Sequence, residues 1–142
     1  MMSVLVLEDE PAVMKLLRHM LTGYNVIEAR TAEEALMLFI DHDYRVDLLI
    51  ADLTIAKRSG IQVALLFRSK LPSLPVIVTS GSPVSDWSAQ KLADLDRLGR
   101  ASVTIVQKPF QADDLSDAVR SMIGAAPSRS ATQPQTSMPS WL

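Results

Sequence analysis

Val4-Leu5-Val6-Leu7-Glu8-Asp9-Glu10-Pro11 is the stretch that decides the fold of this chain. Four consecutive aliphatic residues without polar alternation describe a strand buried on both faces, the pattern of a parallel sheet covered by helices on each side. The acidic triplet ends the run. Pro11 then suits the first turn of a helix, where its missing N–H would have no intrahelical partner in any case. Three later runs repeat the design: residues 46–51 lead into Asp52, residues 75–79 into Ser80, and residues 103–106 are followed by Lys108-Pro109. In open α/β sheets ligands collect beyond the carboxyl ends of the strands. Glu8, Asp9, Asp52, Ser80 and Lys108 are therefore expected to converge there.

Helical patterns fill the intervals. Val13, Leu16, Leu17, Met20 and Leu21 recur at helical spacing before Gly23, and residues 24–27 read as a second strand. Thr31 followed by Glu34 is a capping box for a helix that ends near Asp41-His42-Asp43. Gly60 precedes Ile61, Ala64 and Leu65 on a third helix, ending before Leu71-Pro72. The fourth strand is placed at residues 74–79. Val84, Trp87, Leu92, Leu95 and Leu98 fall on one helical arc stopped by Gly99, and residues 112–123 form the last helix. Strict alternation of strand and helix implies right-handed crossovers and a parallel sheet. The expected fold is α/β: a five-stranded, doubly wound parallel sheet flanked by five helices.

The chain has 142 residues, 48% of them hydrophobic and 21% charged, with a formal net charge of -2, a globular composition without a pull toward nucleic acid. Cysteine is absent, which removes disulfides and thiolate metal sites and suits a reducing cytoplasm. No basic leader precedes the first apolar run and no run approaches the length of a membrane span, so we expect a cytoplasmic protein without membrane contact. Residues 1–123 are expected to form one domain. Residues 124–142, rich in Ser, Pro, Thr and Ala, bury too little apolar surface to offset their ordering entropy and are expected to be a disordered tail.

Three carboxylates at the strand ends repel one another, by about 4 kcal/mol for a pair 4 Å apart at an effective dielectric near 20. A divalent cation removes that penalty. Oxygen ligands without histidine or cysteine select a hard ion, of which Mg²⁺ is the usual occupant. Lys108 supplies a point charge for one phosphoryl oxygen and the Ser80 hydroxyl a donor for another. Asp52, alone after the central strand, is then the candidate nucleophile, since a carboxylate attacking phosphorus gives an acyl phosphate.

Over roughly residues 3–123 these motifs resemble the receiver domain of bacterial two-component response regulators, the CheY-like, flavodoxin-like fold in its single-domain form. Glu8-Asp9 matches the family's acidic pocket, Asp52 the phosphoacceptor, Gly60 the glycine of the following loop, Ser80 the hydroxyl switch, and Lys108-Pro109 the lysine and the proline whose peptide bond is typically cis. The resemblance implies a phosphoacceptor that is not itself an enzyme. Phosphoryl transfer would come from a histidine kinase or a histidine phosphotransfer protein, and the signal would pass by contact to an unknown downstream protein. It also implies Mg²⁺ held by Asp9, Asp52 and the backbone carbonyl of Thr54, with Glu8 acting through water. Ile55-Ala56 stands where the family has Met-Pro, and Ile105 occupies a second switch position where the family often has an aromatic. Residues 81–108 form a longer segment than is common.

Two other functions fit the sequence less well. A Mg²⁺-dependent aspartyl-phosphate phosphatase would carry a second Asp two residues after the nucleophile, where this chain has Thr54. A phosphorylation-independent scaffold is disfavoured by the complete set of acids, hydroxyl and lysine. Neither G-x-x-x-x-G-K-[ST] nor G-x-G-x-x-G is present, so nucleotide binding has no motif behind it. His19 and His42 are read as surface residues, Lys57-Arg58 as a solvated pair, and Trp87 as either core or interface.

Overall fold

The structure is a computed structural model that describes residues 1–55 and 58–124. Five strands, β1 (Ser3–Leu7), β2 (Asn25–Ala29), β3 (Leu48–Asp52), β4 (Val76–Ser80) and β5 (Val103–Gln107), pair in parallel in the spatial order β2-β1-β3-β4-β5. The helices α1 (Pro11–Met20), α2 (Ala32–Asp41), α3 (Gly60–Arg68), α4 (Ala89–Leu98) and α5 (Ala112–Ile123) connect or follow them. Chain direction across the sheet reverses between β1 and β3. That crevice is where doubly wound folds bind ligands.

Successive residues of the opening strand serve different layers, which explains its unbroken hydrophobicity. Leu5 and Leu7 belong to a core with Phe39 of α2, Phe67 of α3, and Leu95 and Leu98 of α4. Val4 and Val6 belong to a second core with Met14 and Leu17 of α1 and Leu115 and Val119 of α5. Phe39 and Phe67 stack with centroids 4.0 Å apart and bind α2 to α3.

Local chemistry sets the ends of the elements. Pro11 occupies the first turn of α1, and the Thr31 hydroxyl accepts from the Glu34 N–H at 3.0 Å to cap α2. The Glu34 carboxylate reaches back to the N–H of Arg30, one residue further than the expected capping box. Strand bounds move by one or two residues from the sequence reading: β3 starts at Leu48 because Val46 closes a turn on Tyr44, and β4 reaches Ser80.

The largest departure lies between Gly81 and Gly99. The single helical arc expected over residues 84–98 divides into a 3-10 turn, Val84–Asp86, and α4, which starts only after the Ser88 hydroxyl caps it. Trp87 lies between them in extended conformation and is buried, so it is core and not a helix residue. A second 3-10 turn, Arg100–Ser102, precedes β5. Both turns lie in the segment between β4 and β5. Arg68 ties the result to α3, donating to Leu74 O, to Leu98 O, and to the Ser102 hydroxyl and carbonyl oxygens at 2.6 to 3.0 Å.

A two-stranded antiparallel ladder, Thr54–Ile55 with Arg58–Ser59, follows β3 and was not foreseen. Lys57 and the expected tail from residue 125 onward lie outside the described residues, as does Ala56. Among the described residues no helix is long and apolar enough to cross a membrane.

Candidate functional site

Glu8 follows directly from β1, Asp52 ends β3, Ser80 ends β4, and Lys108 follows β5, so sheet register alone brings these groups to one end of the molecule. One carboxylate oxygen each from Glu8, Asp9 and Asp52 lies within 4.8 Å of the others. Glu8 and Asp52 are buried, and Asp9 is exposed.

The Lys108 ammonium sits between two of them. Its Nζ is 2.9 Å from Glu8 Oε1, 3.3 Å from Asp52 Oδ2 and 3.9 Å from Glu10 Oε1. The buried Glu8 Oε1 has the Lys108 ammonium as its partner, at a distance of a charge-assisted hydrogen bond. The other Glu8 oxygen accepts from the Glu10 N–H at 3.1 Å.

Titration follows from these surroundings. Burial pushes the Glu8 carboxyl above its ordinary range, partly countered by Lys108 and the Glu10 N–H, with the Asp52 charge adding to the rise. Asp52 is raised by burial as well, while Lys108 and the Thr54 N–H pull it down and Asp9 pushes it up. Burial alone would lower the Lys108 ammonium. Glu8 and Asp52 reverse that, and it is held above the ordinary lysine value.

Two close approaches fix the frame. Gly60 packs against β3 so tightly that a Cβ there would lie 2.3 Å from the Asp52 carbonyl oxygen, and its N–H donates to Leu53 O at 3.0 Å. The Lys108 N–H donates to Ser80 O at 2.8 Å, binding the lysine turn to β4, and the Lys108-Pro109 peptide is cis. The Ser80 hydroxyl donates to Ser82 O at 2.8 Å and accepts from the Ser82 N–H at 3.1 Å.

Other residues singled out in the sequence stand apart. Ile105 lies on β5, partly buried against the core that includes α4, and not among the carboxylates. His19 is exposed, while His42 Nδ1 lies 2.7 Å from Leu38 O at the end of α2. Arg58 faces Glu33 at 3.8 Å. Glu10 and Ser82 were missed. Nothing in the sequence distinguishes Glu10 from a helix-flanking acid, and Ser82 takes part mainly through its backbone.

The model of the response regulator receiver domain matches residues 4–120. The chain belongs to this family. It is similar to the transcriptional regulatory protein KdpE of Mycobacterium tuberculosis, 37% identical over 125 residues, which cover 87% of this chain and 51% of KdpE. It is also similar to the cell cycle transcriptional regulator CtrA of Caulobacter vibrioides, 30% identical over 86% of this chain and 50% of CtrA. This receiver thus spans about half the length of the curated relatives it matches. Among solved structures, the chemotaxis protein CheY4 of Vibrio cholerae aligns with a TM-score of 0.73 at 21% identity, over 86% of this chain and 98% of CheY4, a likeness of fold. The CheX-CheY-BeF3-Mg complex of Borrelia burgdorferi aligns with a TM-score of 0.70 at 25% identity, over 84% of this chain and 87% of that one.

Proposed function

We propose that this receiver accepts a phosphoryl group on Asp52 from a histidine kinase or a histidine phosphotransfer protein, and signals by phosphorylation-dependent contact with a downstream protein. The observation that carries this reading is the Lys108 ammonium held between Glu8 and Asp52 at the carboxyl end of the sheet. A carboxylate raised by burial is a better nucleophile than an ordinary one, and the Asp52 side chain keeps 10% of its surface open at the carboxyl end of the sheet.

The donor set fits Mg²⁺. Three clustered carboxylates supply only oxygen ligands, and the single Lys108 ammonium leaves their negative charge in excess, which favours a further cation. Asp9, Asp52 and the Thr54 carbonyl would hold the ion, with Glu8 acting through water, and its charge would offset that of the incoming phosphoryl oxygens. As Asp52 forms its bond to phosphorus, the bond from phosphorus to the donor's imidazole nitrogen breaks and that nitrogen recovers a proton. Lys108 neutralises one phosphoryl oxygen and the Ser80 hydroxyl donates to another.

Incubation with acetyl phosphate and Mg²⁺, followed by intact mass measurement, tests the reading. The expected result is one added phosphoryl group on the wild type and none on Asp52→Asn or in the presence of a chelator. Equal labelling of Asp52→Asn would refute it.

A further inference from the structure

The Ser80 hydroxyl is already engaged: its single proton goes to the Ser82 carbonyl oxygen at 2.8 Å. That same oxygen accepts a second bond, from Trp87 Nε1 at 3.3 Å. One backbone carbonyl thus joins the candidate switch hydroxyl to an indole. Trp87 is 6% exposed and belongs to the core of Leu95 and Leu98, bordered by Val84, Leu92 and Ile105. Ser88, the cap of α4, is the next residue.

We propose that Trp87 is the positioning residue of the switch, holding the Ser82 carbonyl when the Ser80 hydroxyl leaves it for a phosphoryl oxygen and so carrying the change to α4. The proposal rests on Asp52 being the phosphoacceptor and deepens that reading.

A phosphoryl oxygen is a charged acceptor, and hydrogen bonds to it are roughly twice as strong as those to a neutral carbonyl. With one proton to give, Ser80 cannot serve both. Departure would strip the Ser82 carbonyl of its shorter bond, and a carbonyl with no donor is costly where it is shielded from water. The indole N–H removes that cost because it is already aimed at the same oxygen. Its 3.3 Å bond is long for N–H to O, leaving room to shorten as the carbonyl turns toward the ring. A bicyclic ring packed in a core does not shift alone, so the turn at Val84–Asp86 and the start of α4 move with it. Ile105, which borders the same core, has no hydrogen-bonding group to offer.

The full chain carrying Trp141→Phe retains Trp87 as its one indole. Fluorine NMR detects trifluoroberyllate bound in the presence of Mg²⁺, and the indole N–H resonance reports the bond to Ser82. With Ser80 present, binding should move that resonance downfield. Ser80→Ala should still bind the mimic but lose most of the indole shift. Trp87→Phe keeps a ring in the core and should bind the mimic about fivefold more weakly, the loss of one ordinary hydrogen bond. An indole resonance that stays fixed with the mimic bound, or moves as far in Ser80→Ala, would overturn the proposal and leave the receiver reading intact. No bound fluorine signal in any of the proteins would overturn the receiver reading and the proposal with it.

Discussion

Gly60→Ala is the smallest change that should damage both the fold and the site. The added methyl group would lie 2.3 Å from the Asp52 carbonyl oxygen and 2.9 Å from Ala51 Cβ, and neither is the free end of a flexible chain. Ordinary contact begins at 3.4 Å, so the start of α3 must retreat from β3 by about 1 Å. Overpacking of this kind costs roughly 1–3 kcal/mol. The displacement falls on the strand end that holds Asp52, the proposed phosphoacceptor, where a misplacement of about 1 Å can slow chemistry by about a hundredfold. Urea denaturation with and without the substitution measures the first effect, and the rate of labelling by acetyl phosphate measures the second. Gly81→Ala is the control, because a Cβ there meets nothing within 4 Å. A Gly60→Ala protein as stable as wild type and labelled at the same rate would refute the claim that α3 is held against Asp52 by close backbone contact.

Arg68→Lys should lower unfolding free energy by at least about 2 kcal/mol, since an ammonium cannot reproduce a guanidinium that serves three carbonyls and a hydroxyl; a loss below about 0.5 kcal/mol in urea denaturation would count against the clamp. Glu8 and Asp52 both carry raised pKa values, so the folded state binds their protons more tightly than the unfolded chain does. Their contribution to stability is therefore largest in acid and is lost as pH rises from the ordinary values of 4.5 and 3.8 through the raised ones. Without divalent ions, the wild type should lose stability relative to Glu8→Gln over that window, and a parallel pH dependence of the two proteins would contradict the assignment. Removal of residues 125–142 should leave the melting temperature and labelling unchanged, because that composition supplies no core; a large fall in melting temperature would show that it docks.

The sheet was legible in the sequence because it is buried on both faces. Leu5 and Leu7 must be apolar for one layer and Val4 and Val6 for the other, so the run has no polar gap and stops where the site begins. Parallel pairing then determines the rest: once β1, β3, β4 and β5 lie side by side, Glu8, Asp52, Ser80 and Lys108 share one end whatever the loops do. What the sequence hid depends on hydrogen bonds that residue type does not reveal. Trp87 satisfies helical periodicity but is held in extended backbone by its core position, while the Ser88 hydroxyl starts α4 one residue later. The ladder of Thr54–Ile55 with Arg58–Ser59 has too few residues for a period to be seen. Ser82 joins Ser80 to Trp87 through a carbonyl, a group every residue carries.

The central claim is that Asp52, and no other carboxylate of the acidic cluster, forms the acyl phosphate. Borohydride reduction of the phosphorylated protein converts an acyl phosphate into an alcohol, and peptide mass spectrometry then locates it. The account predicts that Asp52 alone is reduced to homoserine, only after treatment with both the phosphodonor and Mg²⁺. Reduction at Glu8 or Asp9, or at Asp52 without phosphodonor treatment, would contradict it.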